Sequence, residues 1–104
     1  MNMSVLNVNK NNFEEIRNSE KPVLLDFYAD WCGPCRMVSP IIDQIAEERA
    51  DIKVGKVNVD EERELAEKFK VYSIPTLVVL NDGVVVHQVS GARPKAAILA
   101  LIDK

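Results

Sequence analysis

Hydrophobic positions along the chain switch between two periods. From Val23 to Ala29 the residues VLLDFYA are apolar apart from Asp26 and the hydroxyl of Tyr28. A short, continuous apolar run predicts a strand buried on both faces, as in a parallel sheet. The period then changes: Val38, Ile41, Ile42 and Ile45 recur at spacings of three and four. They form one apolar face of a helix running from about Pro34 to Arg49. Pro40 falls inside that helix and is expected to kink it, because proline removes a backbone donor. Residues 53–59, KVGKVNV, return to a strand pattern.

The remaining elements carry clearer boundaries. The asparagine cluster from Asn7 to Asn12 reads as a loop entering a helix, with Asn11 and Glu14 resembling a capping box and Phe13 and Ile16 facing inward. Asp60 is expected to cap a short helix with Glu61 and Glu62 in its first turn and Leu65, Ala66 and Phe69 inward. TLVVLNDGVVVHQV places two β-branched runs around Asn81-Asp82-Gly83, the mark of an antiparallel hairpin. Pro94 suits the first turn of a last helix with Ile98, Leu101 and Ile102 as its apolar residues, although Arg93 is a poor cap. This order predicts an α/β fold with helices on both faces of the sheet and right-handed crossovers.

Composition narrows the picture. The 104 residues, taken as one domain over 1–104, are 47% hydrophobic, enough for one core. A net charge of −3 argues against nucleic acid or an anionic membrane surface as the main partner. No apolar run approaches the ~18 residues of a membrane helix. The start, MNMSVLNVNKNN, lacks the basic and apolar blocks of a secretory signal, so a cytoplasmic protein is expected. In a reducing compartment, two closely spaced cysteines point to chemistry rather than structure.

Those cysteines, Cys32-Gly33-Pro34-Cys35, fall where the strand gives way to the long helix. Positions i and i+3 of a first helical turn bring Cβ atoms within ~5–6 Å, close to disulfide geometry. Cys32 would sit at the helix N-terminus, where free N–H groups and the dipole favour a thiolate. Cys35 would lie a turn later and be shielded, so Cys32 attacks and Cys35 resolves. A structural zinc site needs four ligands, and the chain offers two cysteines and His87, read as a solvent-facing strand residue. Nothing places His87 as a base for a cysteine-protease arrangement. A purely structural disulfide would constrain little, because its loop is so short. Gly33 and Pro34 carry no charge to stabilise the thiolate, which favours a reductant over an oxidase or isomerase.

These motifs resemble the thioredoxin family. WCGPC at 31–35, the preceding FYAD, SIPT at 73–76, the NDG turn and SGA at 90–92 follow the family's order. The resemblance implies a thioredoxin fold with a mixed central sheet and a protein-disulfide reductase, recharged by a flavoenzyme, thioredoxin reductase, and acting on disulfide-containing protein substrates; a monomer is expected. No bound cofactor or metal is implied beyond the Cys32–Cys35 disulfide. Pro75 would be a cis-proline opposite the cysteines, and Trp31, Gly33, Ile74, Pro75, Gly91 and Ala92 a shallow docking surface. Tyr28, Ser90 and Arg93-Pro94 depart from common family choices, the last two making one rim of that surface more polar and basic. The alternative function is a non-redox binding subunit that uses the surface around Trp31 and Pro75.

Asp26 remains to be explained. A carboxylate inside a buried strand costs several kcal/mol unless paired or protonated. Either Asp26 reaches water near the strand end, or it serves as the proton acceptor for Cys35, with its pKa raised by burial. Lys56 is a candidate neighbouring charge for it, or a solvated lysine at a strand end.

Overall fold

The run VLLDFY becomes β2 (Val23–Tyr28), the middle strand of a five-stranded sheet, in a computed structural model that describes residues 4–104. β3 (Lys53–Asn58) lies parallel to β2, and β1 (Val5–Asn7) parallel to β3 at the edge. On the other side β4 (Thr76–Asn81) runs antiparallel to β2, and β5 (Val84–Ser90) antiparallel to β4. The order is β1-β3-β2-β4-β5, so β2 is covered on both edges and both faces. That explains why its sequence is a continuous apolar run rather than an alternating one.

Two cores lie on opposite faces. Leu25, Phe27, Val57 and Val78 pack with α1 (Phe13–Arg17) and α3 (Arg63–Lys68). There the Phe69 ring meets Phe13 edge-on at 5.6 Å and Phe27 at 5.4 Å. Leu24, Val54, Leu77 and Val79 pack with α2 (Gly33–Glu48) and α4 (Lys95–Asp103) through Val38, Ile42, Ile45 and Ile98. Strand alternation puts Asp26 on the α2 face with Leu24. Gly55 interrupts β3 for a packing reason: a Cβ there would lie 2.5 Å from Val8 Cγ2 and 3.3 Å from Leu25 Cδ2.

The hairpin closes through Asp82 (φ 53°) and Gly83 (φ 79°), both left-handed as a two-residue turn of this kind requires. α2 continues through Pro40. One strand was not expected, and three local expectations need correction. The strand β1 has no counterpart in the sequence pattern; three residues with a half-buried pattern are too short to show a period. No capping box forms at Asn11. Asn9 and Asn12 instead close the turn reciprocally: Asn9 Oδ1 accepts from the Asn11 and Asn12 N–H groups, and Asn12 Oδ1 accepts from Asn9 N–H. Asp60 does not cap α3, which starts at Arg63 with no side-chain cap, because residues 60–62 turn around Asn58 first. Pro94 is the extended N-cap of α4 rather than part of its first turn.

His87 is half-buried opposite Val79 rather than turned to solvent. Among the described residues no helix is long and apolar enough to cross a membrane. The first three residues of the start read for a signal lie outside the described residues.

Candidate active site

The turn from β2 into α2 brings the cysteines together. Cys32 is the N-cap of α2 in extended conformation (φ −91°, ψ 111°), and its Sγ accepts the Cys35 N–H at 3.2 Å. Pro34 occupies the first helical turn, where a missing N–H costs nothing. Cys32 and Cys35 form a disulfide with Cα atoms 5.3 Å apart. The free N–H groups and the dipole of a sixteen-residue helix thus converge on the Cys32 sulfur.

Exposure does not separate the two sulfurs as expected. Cys32 is 4% exposed and Cys35 3%, because the bridge lies in its own small cluster with Ala29. Their surroundings differ instead. Cys32 Sγ lies 3.9 Å from the Ile74 carbonyl oxygen, at the rim formed by exposed Trp31, Gly33 and Pro34. Cys35 lines a cavity of about 160 Å³ with Asp26, Tyr28, Ala29, Asp30, Arg36 and Ser39.

Asp26 does not reach water at a strand end. It is 1% exposed, and neither carboxylate oxygen has a hydrogen-bond partner among the described residues. Desolvation raises its pKa to about 7; Lys56 opposes that shift and Asp43 adds to it. A carboxyl group titrating there can both accept and release a proton near neutral pH. Lys56 pairs with Asp26 across the β2–β3 register but is half-buried rather than solvated. Its ammonium donates to Ser39 Oγ and ion-pairs with Asp43 at 3.2 Å.

Opposite the bridge, the Ile74–Pro75 peptide is cis. Gly91 N–H donates to the Pro75 carbonyl at 2.8 Å, and Gly91 adopts φ 98°, a conformation open to glycine. Pro75 itself is buried. Trp31 is 69% exposed, and Gly91 and Ala92 are exposed beside half-buried Ile74. Ser90 is exposed at the end of β5. Its hydroxyl pairs with Thr76 Oγ1 at 3.1 Å, while Arg93 donates to the Ser90 carbonyl at 3.2 Å.

Sequence reasoning missed several neighbours. The Trp31 indole N–H donates to the Asp60 carboxylate at 2.8 Å, a contact between distant segments with no local signal. Met37 and Tyr72 are 71% and 89% exposed. Met37 also lines an apolar groove of about 330 Å³ with Val38, Ile41, Ala92, Arg93 and Pro94. Among the described residues no cluster of histidine, cysteine and carboxylate side chains could hold a metal ion.

Comparison with known proteins gives one answer. A family model described as Thioredoxin matches residues 4–104. A thioredoxin of Mycobacterium tuberculosis is 51% identical over 86 residues, covering 82% of this chain and 74% of that one. A bifunctional thioredoxin reductase/thioredoxin of Mycobacterium leprae is 47% identical over 88 residues, 84% of this chain and 19% of that one. Among solved structures, a single-site mutant thioredoxin from Halobacterium salinarum superposes with a TM-score of 0.89 at 39% identity, covering 95% of this chain and 88% of that one.

Proposed function

From the premise that this chain belongs to the thioredoxin family, and so performs dithiol–disulfide exchange as a protein-disulfide oxidoreductase, we propose that it works as a reductant with Cys32 as nucleophile, Cys35 as resolving thiol and Asp26 as proton acceptor. The observation that carries this reading is the shared cavity: the second cysteine and an unpaired buried carboxyl line the same space.

The steps follow from that geometry. In the reduced protein, Cys32 is the thiolate held by the α2 N-terminus. It attacks one sulfur of a substrate disulfide, forms a mixed disulfide and expels the other substrate sulfur as a thiolate. Cys35 then loses its proton to the Asp26 carboxylate, directly or through a water, and attacks Cys32 Sγ. The second substrate thiolate departs, and the protein is left oxidised as the Cys32–Cys35 disulfide. Two electrons have passed to the substrate. Lys56 modulates Asp26 electrostatically.

Substrates are proteins with accessible disulfides. Trp31, Gly33, Ile74, Gly91 and Ala92 form the docking surface, with Pro75 shaping its rim. An extended substrate segment pairs there with backbone freed beside Pro75. The protein acts as a monomer in the cytoplasm, where a thioredoxin reductase returns the two electrons. The reductase assignment is supported by the relative described as a bifunctional thioredoxin reductase/thioredoxin. Thioredoxins carry no cofactor beyond the active-site disulfide.

Equilibration with a glutathione or dithiothreitol buffer tests the direction of transfer. A potential near ~−270 mV is expected, the value that characterises thioredoxins in general. A potential near the ~−120 mV of strong oxidants would instead make the protein an oxidase.

A further inference from the structure

Lys56 has two ways to satisfy its charge. The β2–β3 register sets it beside Asp26, with both side chains on the α2 face. Neighbouring strands lie ~4.8 Å apart, within easy reach for a lysine side chain. Yet the Lys56 ammonium donates to Ser39 Oγ and ion-pairs with Asp43, leaving both Asp26 oxygens without a partner among the described residues. Ser39 and Asp43 stand one helical turn apart on α2, and Ser39 also lines the cavity that holds Asp26 and Cys35.

We propose that Ser39 and Asp43 are positioning residues, which together hold the Lys56 ammonium against α2 so that the Asp26 carboxyl stays unpaired in the cavity it shares with Cys35. This inference rests on the reading of Asp26 as the proton acceptor. The physical reason is a balance. A direct Lys56–Asp26 ion pair would keep the carboxylate ionised and make it a poor base. Removing the lysine altogether would leave burial unopposed and hold the group protonated. Held at a distance, the ammonium offsets part of the desolvation and no more.

Other groups around Asp26 complete the field. α2 contributes Cys35, Arg36, Ser39 and Asp43; β3 contributes Lys56; Tyr28 and Asp30 come from the end of β2 and the turn after it. β4 places only apolar Leu77 opposite Asp26. Ser39 is the neutral group that touches the ammonium, so replacing it changes the position of a charge without changing the charge count.

The test is direct titration of the Asp26 carboxyl carbon by NMR in the reduced full-length protein. Ser39→Ala removes the hydroxyl at an alanine-tolerant helix position. It should release Lys56 toward Asp26 and lower the Asp26 midpoint by about one pH unit or more, the size of effect that a close cation has on a carboxyl. Ser39→Thr keeps the hydroxyl and should retain the wild-type midpoint. In a Lys56→Gln background, Ser39→Ala should move nothing. A Ser39→Ala midpoint equal to wild type, or an equal shift with Lys56 absent, overturns the proposal. Single-turnover resolution measured with Asp26→Asn separates the two levels. An unchanged rate refutes the proton-acceptor reading, whereas a slowed rate with an immobile Ser39→Ala midpoint refutes only the positioning role.

Discussion

Asp26 and Cys35 line one cavity, the carboxyl contributed by the middle strand of the sheet and the sulfur by the first turn of α2. Cys32, bonded to Cys35, does not line that cavity. The redox pair is therefore asymmetric in its access to a buried carboxyl, although not in its exposure.

This relationship has a thermodynamic consequence. The Asp26 pKa rises from 3.8 in the unfolded chain to about 7 in the folded one. Below pH 4 both states bind the proton and stability is intact. Between pH 4 and 7 the folded state holds more protons, so stability falls as pH rises; above 7 the full penalty is present. A difference of roughly three pH units corresponds to about 4 kcal/mol. Asp26→Asn removes that penalty but buries an unpaired amide, which costs about 1–3 kcal/mol. The variant should therefore be more stable than wild type by about 1–3 kcal/mol at pH 8 and lose its advantage at pH 4. Denaturant unfolding of both proteins across that range checks it, and parallel curves would contradict a buried, titrating Asp26.

The Trp31–Asp60 hydrogen bond fixes an exposed indole beside the disulfide. Asp60→Ala frees the ring at a cost of about 0.5–1.5 kcal/mol. Because Trp31 is the only tryptophan, its fluorescence reports the change cleanly. Emission should shift, and kcat/KM with a thioredoxin reductase should fall about 2–10-fold while the reduction potential stays fixed. An unchanged spectrum together with unchanged kinetics would show that Asp60 does not orient the indole.

Gly55 tests the packing of β3 between β1 and β2. The Cβ of Gly55→Ala would overlap the Val8 side chain in a buried core. Overpacking of this kind costs about 1–3 kcal/mol. Urea unfolding should show an earlier midpoint with an unchanged slope, and exchange activity of the folded protein should persist. A neutral result would mean that Val8 moves aside freely.

The sequence made most of this legible where a pattern is long or a motif is chemical. The buried run of β2, the apolar stripe of α2 and the NDG hairpin are each sustained over enough residues to show a period or a turn. The cysteine spacing announced its own geometry. What stayed hidden depends on residues far apart in the chain. β1 is too short to carry a period, and its pairing with β3 is a tertiary fact. Asp60 resembles a helix cap because acidic residues follow it, yet its carboxylate is taken by Trp31 from another segment. Near-equal burial of Cys32 and Cys35 arises from the bridge itself, which sequence position could not convey. Ser39 and Asp43 share a helix face in the sequence, but only the fold sets Lys56 between them.

The proposed chemistry depends on a division of labour between the two sulfurs, and trapping reads that division out. Reduced Cys35→Ser, mixed with a protein carrying an exposed disulfide and quenched with acid, is analysed by mass spectrometry of its peptides. A mixed disulfide should accumulate at Cys32, because the resolving sulfur is gone, while reduced Cys32→Ser should form none on the same timescale. A stable adduct on Cys35 in the Cys32→Ser variant, with Cys35→Ser unreactive, would reverse the roles of the two sulfurs.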